Sequence, residues 1–262
     1  MSKNNSFDHP ESFRVSQNFL TSSSTIKRII NLSNINQSDH VIEIGAGKGH
    51  ITNQLIARCG KLTAIEIDQK LFYMLEAKFE HITNTNFLCC DFLKYSLPKT
   101  PYKVFANIPF NRTTEIIRKL INDKNSPDDA WLVVEKGAAK RFMGKPYESL
   151  LSLLIKPFFD IKIKYYFKKE DFHPAPSVEP VLLHISKKLI TDIADVNRYL
   201  YNRFISNCFN KPRILYKYLT KKQIFTALKN EKLSCDIISR ETLYIQWLCL
   251  FRCCLKFGRL KR

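Results

Sequence analysis

Val41-Ile42-Glu43-Ile44-Gly45-Ala46-Gly47-Lys48-Gly49-His50 is the stretch that decides how this 262-residue chain folds. A β-branched apolar run leads into a turn holding three of the chain's seven glycines, and a helical pattern opens at Ile51. Backbone without Cβ atoms lets a ligand approach closely and leaves N–H groups free at the start of the helix. A glycine-rich turn alone fits two readings, a tight connection or a cradle for a nucleotide-like ligand. Here the order is G-x-G-x-G with Glu43 two residues ahead, not the G-x-G-x-x-G of dinucleotide enzymes. That spacing fits S-adenosylmethionine better than NAD, with Gly45 and Gly47 as the cradle.

Outward from this turn, short β-rich runs alternate with helical stretches. Strands are expected at 40–44, 62–67, 85–89, 103–107, 130–134, 161–167 and 181–185, and helices at 51–58, 69–81, 114–121 and 148–156. The alternation argues an α/β fold with a mostly parallel sheet covered on both faces, whose ligands bind at the carboxyl ends of the strands. At the end of the second of these, Glu66 stands 21 residues after Gly45, where an acid accepts the hydroxyls of a ribose. At the third, Asp91 is placed to accept from an adenine amino group and Phe92 to pack on the ring. Each acid alone also reads as a solvated strand end. Three at successive strand ends are not independent, and together they point to a cofactor site.

The fourth strand ends in Asn107-Ile108-Pro109-Phe110. An exocyclic base amine is a poor nucleophile because its lone pair is delocalised into the ring. Acceptors that hold both amine hydrogens favour the more pyramidal nitrogen that methylation needs. The Asn107 side-chain oxygen and the Ile108 carbonyl supply two, and Pro109 fixes the backbone and removes a competing donor. Phe110 would stack on the target base, a contact worth about 1–3 kcal/mol. A plain turn after a strand is the alternative reading of these four residues.

Charge separates the chain into two parts. There are 42 Lys and Arg against 24 Asp and Glu, a net charge of +18. Residues 187–262 hold 17 basic and 5 acidic residues, a net +12. Such an excess implies a polyanionic partner, because neutralised phosphates release condensed counterions. A boundary near 186 is marked by the proline loop His173-Pro174-Ala175-Pro176-Ser177 and the strand after it. Beyond it Ile193, Val196, Leu200 and Phe204, then Ile237, Leu243, Trp247 and Leu250, recur at helical steps. The expected organisation is a catalytic domain over 1–186 and a basic helical domain over 187–262. No apolar run approaches the ~20 residues that span a bilayer, and the N-terminus has no apolar signal-peptide core. The eight cysteines lack CxxC pairs, which argues for reduced thiols and against a metal cluster. A soluble cytoplasmic protein that binds nucleic acid is expected.

Taken together, Ser16-Gln17-Asn18-Phe19-Leu20, Glu43 to Gly49, Glu66, Asp91, Asn107 to Phe110, Glu135 to Arg141 and Phe172 to Val178 resemble the ribosomal RNA adenine N6-methyltransferases. Within them, Gly47-Lys48-Gly49, Glu135-Lys136-Gly137 and Phe172-His173-Pro174 resemble the erythromycin-resistance (Erm) methylases. The resemblance implies a Rossmann-like methyltransferase fold, a seven-stranded, mostly parallel sheet with a small all-helical C-terminal domain. It also implies that S-adenosylmethionine is bound by Asn18, Leu20, Gly45, Glu66, Asp91 and Asn107. The implied substrate is one adenine of 23S rRNA, taken by a monomer before complete subunit assembly, with resistance to macrolide, lincosamide and streptogramin B drugs as the result. Phe172 fits two readings, a second wall of a base clamp with Phe110 or core packing. Phe110 stands where Tyr is common in the family and keeps the π-face; Pro180 stands where Ser is usual. Two rivals remain at this point, dimethylation of small-subunit rRNA and a non-catalytic RNA-binding protein on the same fold.

Overall fold

In the computed structural model the described residues are 18–122, 125–236, 241–257 and 260, so Ser16, Gln17 and Ile237 lie outside them. In chain order, β1 (Phe19–Leu20) and α1 (Ser23–Leu32) precede three strand–helix repeats. These are β2 (His40–Ile44) with α2 (His50–Ile56), β3 (Lys61–Glu66) with α3 (Gln69–Lys78), and β4 (Thr85–Cys89), whose successor β5 (Lys103–Asn107) leads to α4 (Thr113–Asn122). Then follow β6 (Asp129–Glu135), α5 (Lys136–Met143), α6 (Leu150–Ile155), β7 (Phe159–Tyr166), β8 (Phe172–His173) and β9 (Pro180–Lys187).

Seven strands form one sheet in the order β4-β3-β2-β5-β6-β9-β7. From β4 to β6 the neighbours are parallel. Strands β2, β5 and β6 are buried along most of their length, which is why they read as near-continuous apolar runs. The register sets Ile44 beside both Ile65 and Ala106, Glu66 beside Cys89, and Asn107 beside Val133. All the strand-end motifs therefore share one edge of the sheet. Chain order reverses between β2 and β5, so a crevice opens there at the switch point. The short ribbon β1–β8, pairing Phe19 with His173 and Leu20 with Phe172, lies outside this sheet.

The chain divides into two compact units, 1–136 with 163–184, and 137–162 with 185–262. The expected division at 186 lies close to the later break, but 137–162 groups with the helical unit. Its ties are specific: Tyr201 donates to Leu153 O at 2.9 Å, Lys188 N to Phe158 O at 2.9 Å, and Asp192 N to Pro157 O at 2.9 Å. The helices after β9 are α7 (Arg198–Cys208), α8 (Leu215–Tyr218), α9 (Lys221–Asn230) and α10 (Tyr244–Lys256). Phe204, Phe251, Trp247 and Tyr201 form their aromatic core. The helix expected from Ile193 begins only at Arg198. Ile193 is buried, but Val196 sits exposed in a 3-10 turn, so three of the four apolar positions face the core. Leu243 likewise is the exposed N-cap of α10, and of the described positions in that pattern Trp247 and Leu250 are buried. Among the described residues no helix is long and apolar enough to cross a membrane.

Candidate active site

The glycine turn owes its shape to backbone that only glycine adopts without strain. Gly45, Gly47 and Gly49 all have positive φ, +73°, +57° and +76°. Gly45 N and Ala46 N donate to Ile65 O at 2.8 and 3.2 Å, which ties the turn to the neighbouring strand end. A Cβ on Gly47 would stand 2.8 Å from Phe19 Cε1, so the missing side chain is also what lets β1 close over the turn.

Glu66 sits at the centre of this edge, 3% exposed. Its Oε2 accepts from Gly47 N at 2.8 Å, and Oε1 accepts from Ile67 N at 2.8 Å and Asp68 N at 2.9 Å. Burial pushes its pKa up, and the three N–H bonds pull against that rise. A carboxylate has about four acceptor positions, so three bonds leave Oε2 one for a ligand hydroxyl. Asp91 accepts from Leu93 N through Oδ1 at 2.9 Å, which keeps Oδ2 as an acceptor. Phe92 is buried beside it, with Lys119 Nζ 5.1 Å from the ring centre. Lys119 is itself anchored by Leu93 O at 2.9 Å and by Tyr95 O.

Asn107, at the end of β5, is oriented by the N-terminal segment. Its Nδ2 donates to Asn18 O at 2.8 Å, which leaves Oδ1 as the free end of the amide. Asn18 is in turn held by its own Nδ2, donating to Pro174 O at 2.9 Å. Ile108 is buried with its N–H bonded to Val133 O at 3.3 Å, and Pro109 turns the chain into the 3-10 turn Phe110–Arg112.

Two adjoining clefts gather these groups. One is lined by Gly45, Ile67, Asp91, Phe92 and Pro109, the other by Asn18, Gly47, Glu66, Asn107, Ile108 and Phe110. The first is apolar with one acid, suited to a purine ring; the second has an acceptor for hydroxyls and an amide oxygen. The residues thus fit S-adenosylmethionine, whose adenine and ribose need those two surroundings. Two expected site residues are not in either cleft. Leu20 turns its side chain into the core. Phe172 is 3% exposed and packs edge-on against Phe167 at 5.4 Å and 73°, so in this structure the ring is core packing, while the half-buried Phe110 lines the second cleft. The clefts also include Phe19, Ile67, Cys90 and Arg112, to which the sequence pattern assigns no role in the site. Ile67 had a sequence signal, an apolar residue directly after the acid Glu66 at a strand end where polar residues are usual, and in the structure it is 37% exposed.

A family model described as ribosomal RNA adenine dimethylase matches residues 9–239. The rRNA adenine N-6-methyltransferases of Lysinibacillus sphaericus and Limosilactobacillus reuteri are 37% and 36% identical, over 83% and 93% of this chain and 87% and 97% of their own. The fold is shared with the solved 23S rRNA methyltransferase ErmE, with a TM-score of 0.80 at 23% identity over 94% of this chain and 100% of that one. It is shared also with a dimethyladenosine transferase from Plasmodium falciparum, with a TM-score of 0.74 at 22% identity over 92% of this chain and 97% of that one. At this identity and coverage the chain belongs to the ribosomal RNA adenine dimethylase family, and it is an enzyme that methylates N6 of adenine in ribosomal RNA with S-adenosylmethionine as donor.

Proposed function

We propose that the enzyme modifies one adenine in the peptidyl transferase region of 23S rRNA and so confers resistance to macrolide, lincosamide and streptogramin B drugs. The added methyl brings bulk and removes a hydrogen-bond donor where the drug binds. The reading of the chemistry rests on one observation, the Asn107 amide whose nitrogen is tied to Asn18 O while its oxygen is free. The reading of the target rests on the local sequences Gly47-Lys48-Gly49, Glu135-Lys136-Gly137 and Phe172-His173-Pro174.

When bound, S-adenosylmethionine supplies an electrophilic sulfonium methyl. The chain's own part is to hold the target amine in line with it. Asn107 Oδ1 and the Ile108 carbonyl accept the two amine hydrogens, and Phe110 stacks on the base. Glu66 takes the ribose, Asp91 the adenine amine, and Phe92 with Ile67 the purine faces; Asn18, Gly45 and Gly47 close the backbone around the donor. Alignment of two reactants supplies roughly 7–11 kcal/mol of barrier lowering, so neither metal nor covalent intermediate is needed. The adenine must be unpaired or extruded from a helix to reach these groups. Catalysis belongs to residues 1–186 and RNA docking to the basic 187–262, in a cytoplasmic monomer that meets rRNA before subunit assembly is complete.

Transfer of labelled methyl to naked large-subunit and small-subunit rRNA, with the modified base then mapped, tests this. Label on a single adenine of 23S rRNA is expected, together with macrolide resistance in an expressing host. Label on small-subunit rRNA in a host that stays susceptible would sink the assignment in favour of the housekeeping dimethylases.

A further inference from the structure

The helical unit carries a groove that none of the chemistry above uses. Helices α9 and α10 are drawn together by small residues, and Cys249 Sγ donates to Ala227 O at 3.4 Å. Between them lies a groove of about 460 Å³, with Lys222, Gln223 and Asn230 on one wall and Arg252, Lys256 and Phe257 on the other. That volume falls in the ~300–1,000 Å³ range of ligand sites.

Three features of the lining narrow the occupant. Lys222, Arg252 and Lys256 take part in no ion pair among the described residues, and Glu231 is the one acid in the lining. Arg252 is held in place by Nη2 donating to Asp192 O at 3.0 Å, which leaves further guanidinium donors for a ligand. Three like charges around one groove repel each other until a polyanion neutralises them. Between the cations stand amide groups that hydrogen-bond phosphate oxygens and the ribose 2′-hydroxyl. Phe257, 50% exposed at the groove's end, offers a face on which a base stacks. An acidic polypeptide would use the cations but has no base to lay on that ring.

We propose that the groove between α9 and α10 docks the sugar–phosphate backbone of the rRNA substrate, through Lys222, Arg252 and Lys256. The proposal rests on the rRNA methyltransferase reading and deepens it by naming where the basic tail grips. No residue of the two catalytic clefts lies in this groove.

The test is the triple variant Lys222→Ala, Arg252→Ala, Lys256→Ala in the full chain, with naked 23S rRNA as the probe. Each single-strand phosphate contact contributes about 0.7 to the slope of log affinity against log salt, so losing three flattens it by about 2. The KM for RNA should rise roughly 10-fold or more, with the turnover at saturating RNA, the cofactor affinity and the modified adenine all kept. An unchanged slope and KM in a folded variant overturns the proposal. If the loss of the Arg252 bond unfolds the chain, the double variant Lys222→Ala, Lys256→Ala gives the same reading at about two-thirds of the slope change, and Lys222→Arg, Lys256→Arg should behave as wild type. Polyglutamate competing as well as RNA of equal charge overturns the RNA assignment in favour of an acidic protein. Wild-type chain that transfers no methyl to any rRNA defeats the functional reading instead, and its RNA-binding slope still decides the groove.

Discussion

Asn107 shows how much of this site depends on one side-chain orientation. An amide presents a donor at one end and an acceptor at the other, and Asn18 O takes the donor end at 2.8 Å, so the acceptor is what a substrate amine meets. Asn107→Ala should lower single-turnover methyl transfer by on the order of 10²-fold or more, as for removal of a group that stabilises a transition state, while calorimetry still detects cofactor binding; full activity would end the assignment. Gly47 makes a second claim at this scale. Gly47→Ala forces a left-handed conformation on a residue with a Cβ, about 1–2 kcal/mol, and pushes that atom against Phe19, which lies 2.8 Å away. Weaker cofactor binding together with a lower melting temperature is expected. The third is Glu43, which the sequence placed beside the turn and the structure places in the core. It is 1% exposed, and burial pushes its carboxyl up to about 8. The unfolded chain ionises near ~4.3, so unfolding releases a proton between these values and stability falls as pH rises from about 5 to about 8. Glu43→Gln should therefore melt with the wild type at pH ~5 and several degrees above it at pH ~8; parallel melting profiles from calorimetry would show the group is already charged in the fold.

The elements show what was legible in the sequence and what was not. The expected strands of the large sheet all lie within two residues of the observed ones: β2, β3, β5, β6 and β9, buried along most of their length, write themselves as apolar runs, and β7, buried on alternate positions, as an alternation. The site residues at strand ends followed from that, since Gly45, Glu66, Asp91 and Asn107 must share an edge once the strands are parallel. Helix α1 is not among the expected elements, although Ile26, Ile29 and Ile30 form its buried stripe and Ser22 caps it by accepting from Thr25 N. The ribbon β1–β8 left no pattern, because two residues are too few to show a period of two. Yet this ribbon sets the Asn107 orientation through Asn18, and it decides that Phe172 faces the core and not the substrate. The two roles open to Phe172 come apart in one experiment. As a core ring, Phe172→Ala should cost about 3–5 kcal/mol, Phe172→Leu should recover much of it, and methylation per folded molecule should be retained. Loss of methylation by Phe172→Leu with an unchanged melting temperature would make it a base clamp.

Over the whole molecule, charge and chemistry are divided between the two compact units. Residues 137–162 and 185–262 carry 22 Lys and Arg against 7 Asp and Glu, a net +15 of the total +18. The unit that holds both clefts is left with +3, so the grouping of 137–162 with the tail concentrates the charge beyond the +12 of the tail alone. An affinity made by displacing counterions from phosphates depends on salt in proportion to the number of contacts, and one made by buried hydrogen bonds and apolar walls does not. RNA and cofactor should therefore respond differently to the same titration. With about 6–10 phosphate contacts at about 0.7 each, RNA affinity should fall by roughly 10²–10⁴ between ~50 and ~200 mM salt. Cofactor affinity, set by the buried Glu66, the half-buried Asp91 and the apolar cleft, should change by less than about 3-fold, because a buried carboxylate and apolar walls are weakly screened. Paired titrations by fluorescence anisotropy and calorimetry give both slopes from one preparation. Equal slopes would mean that the basic unit contributes nothing to docking and that RNA is recognised at the catalytic edge alone.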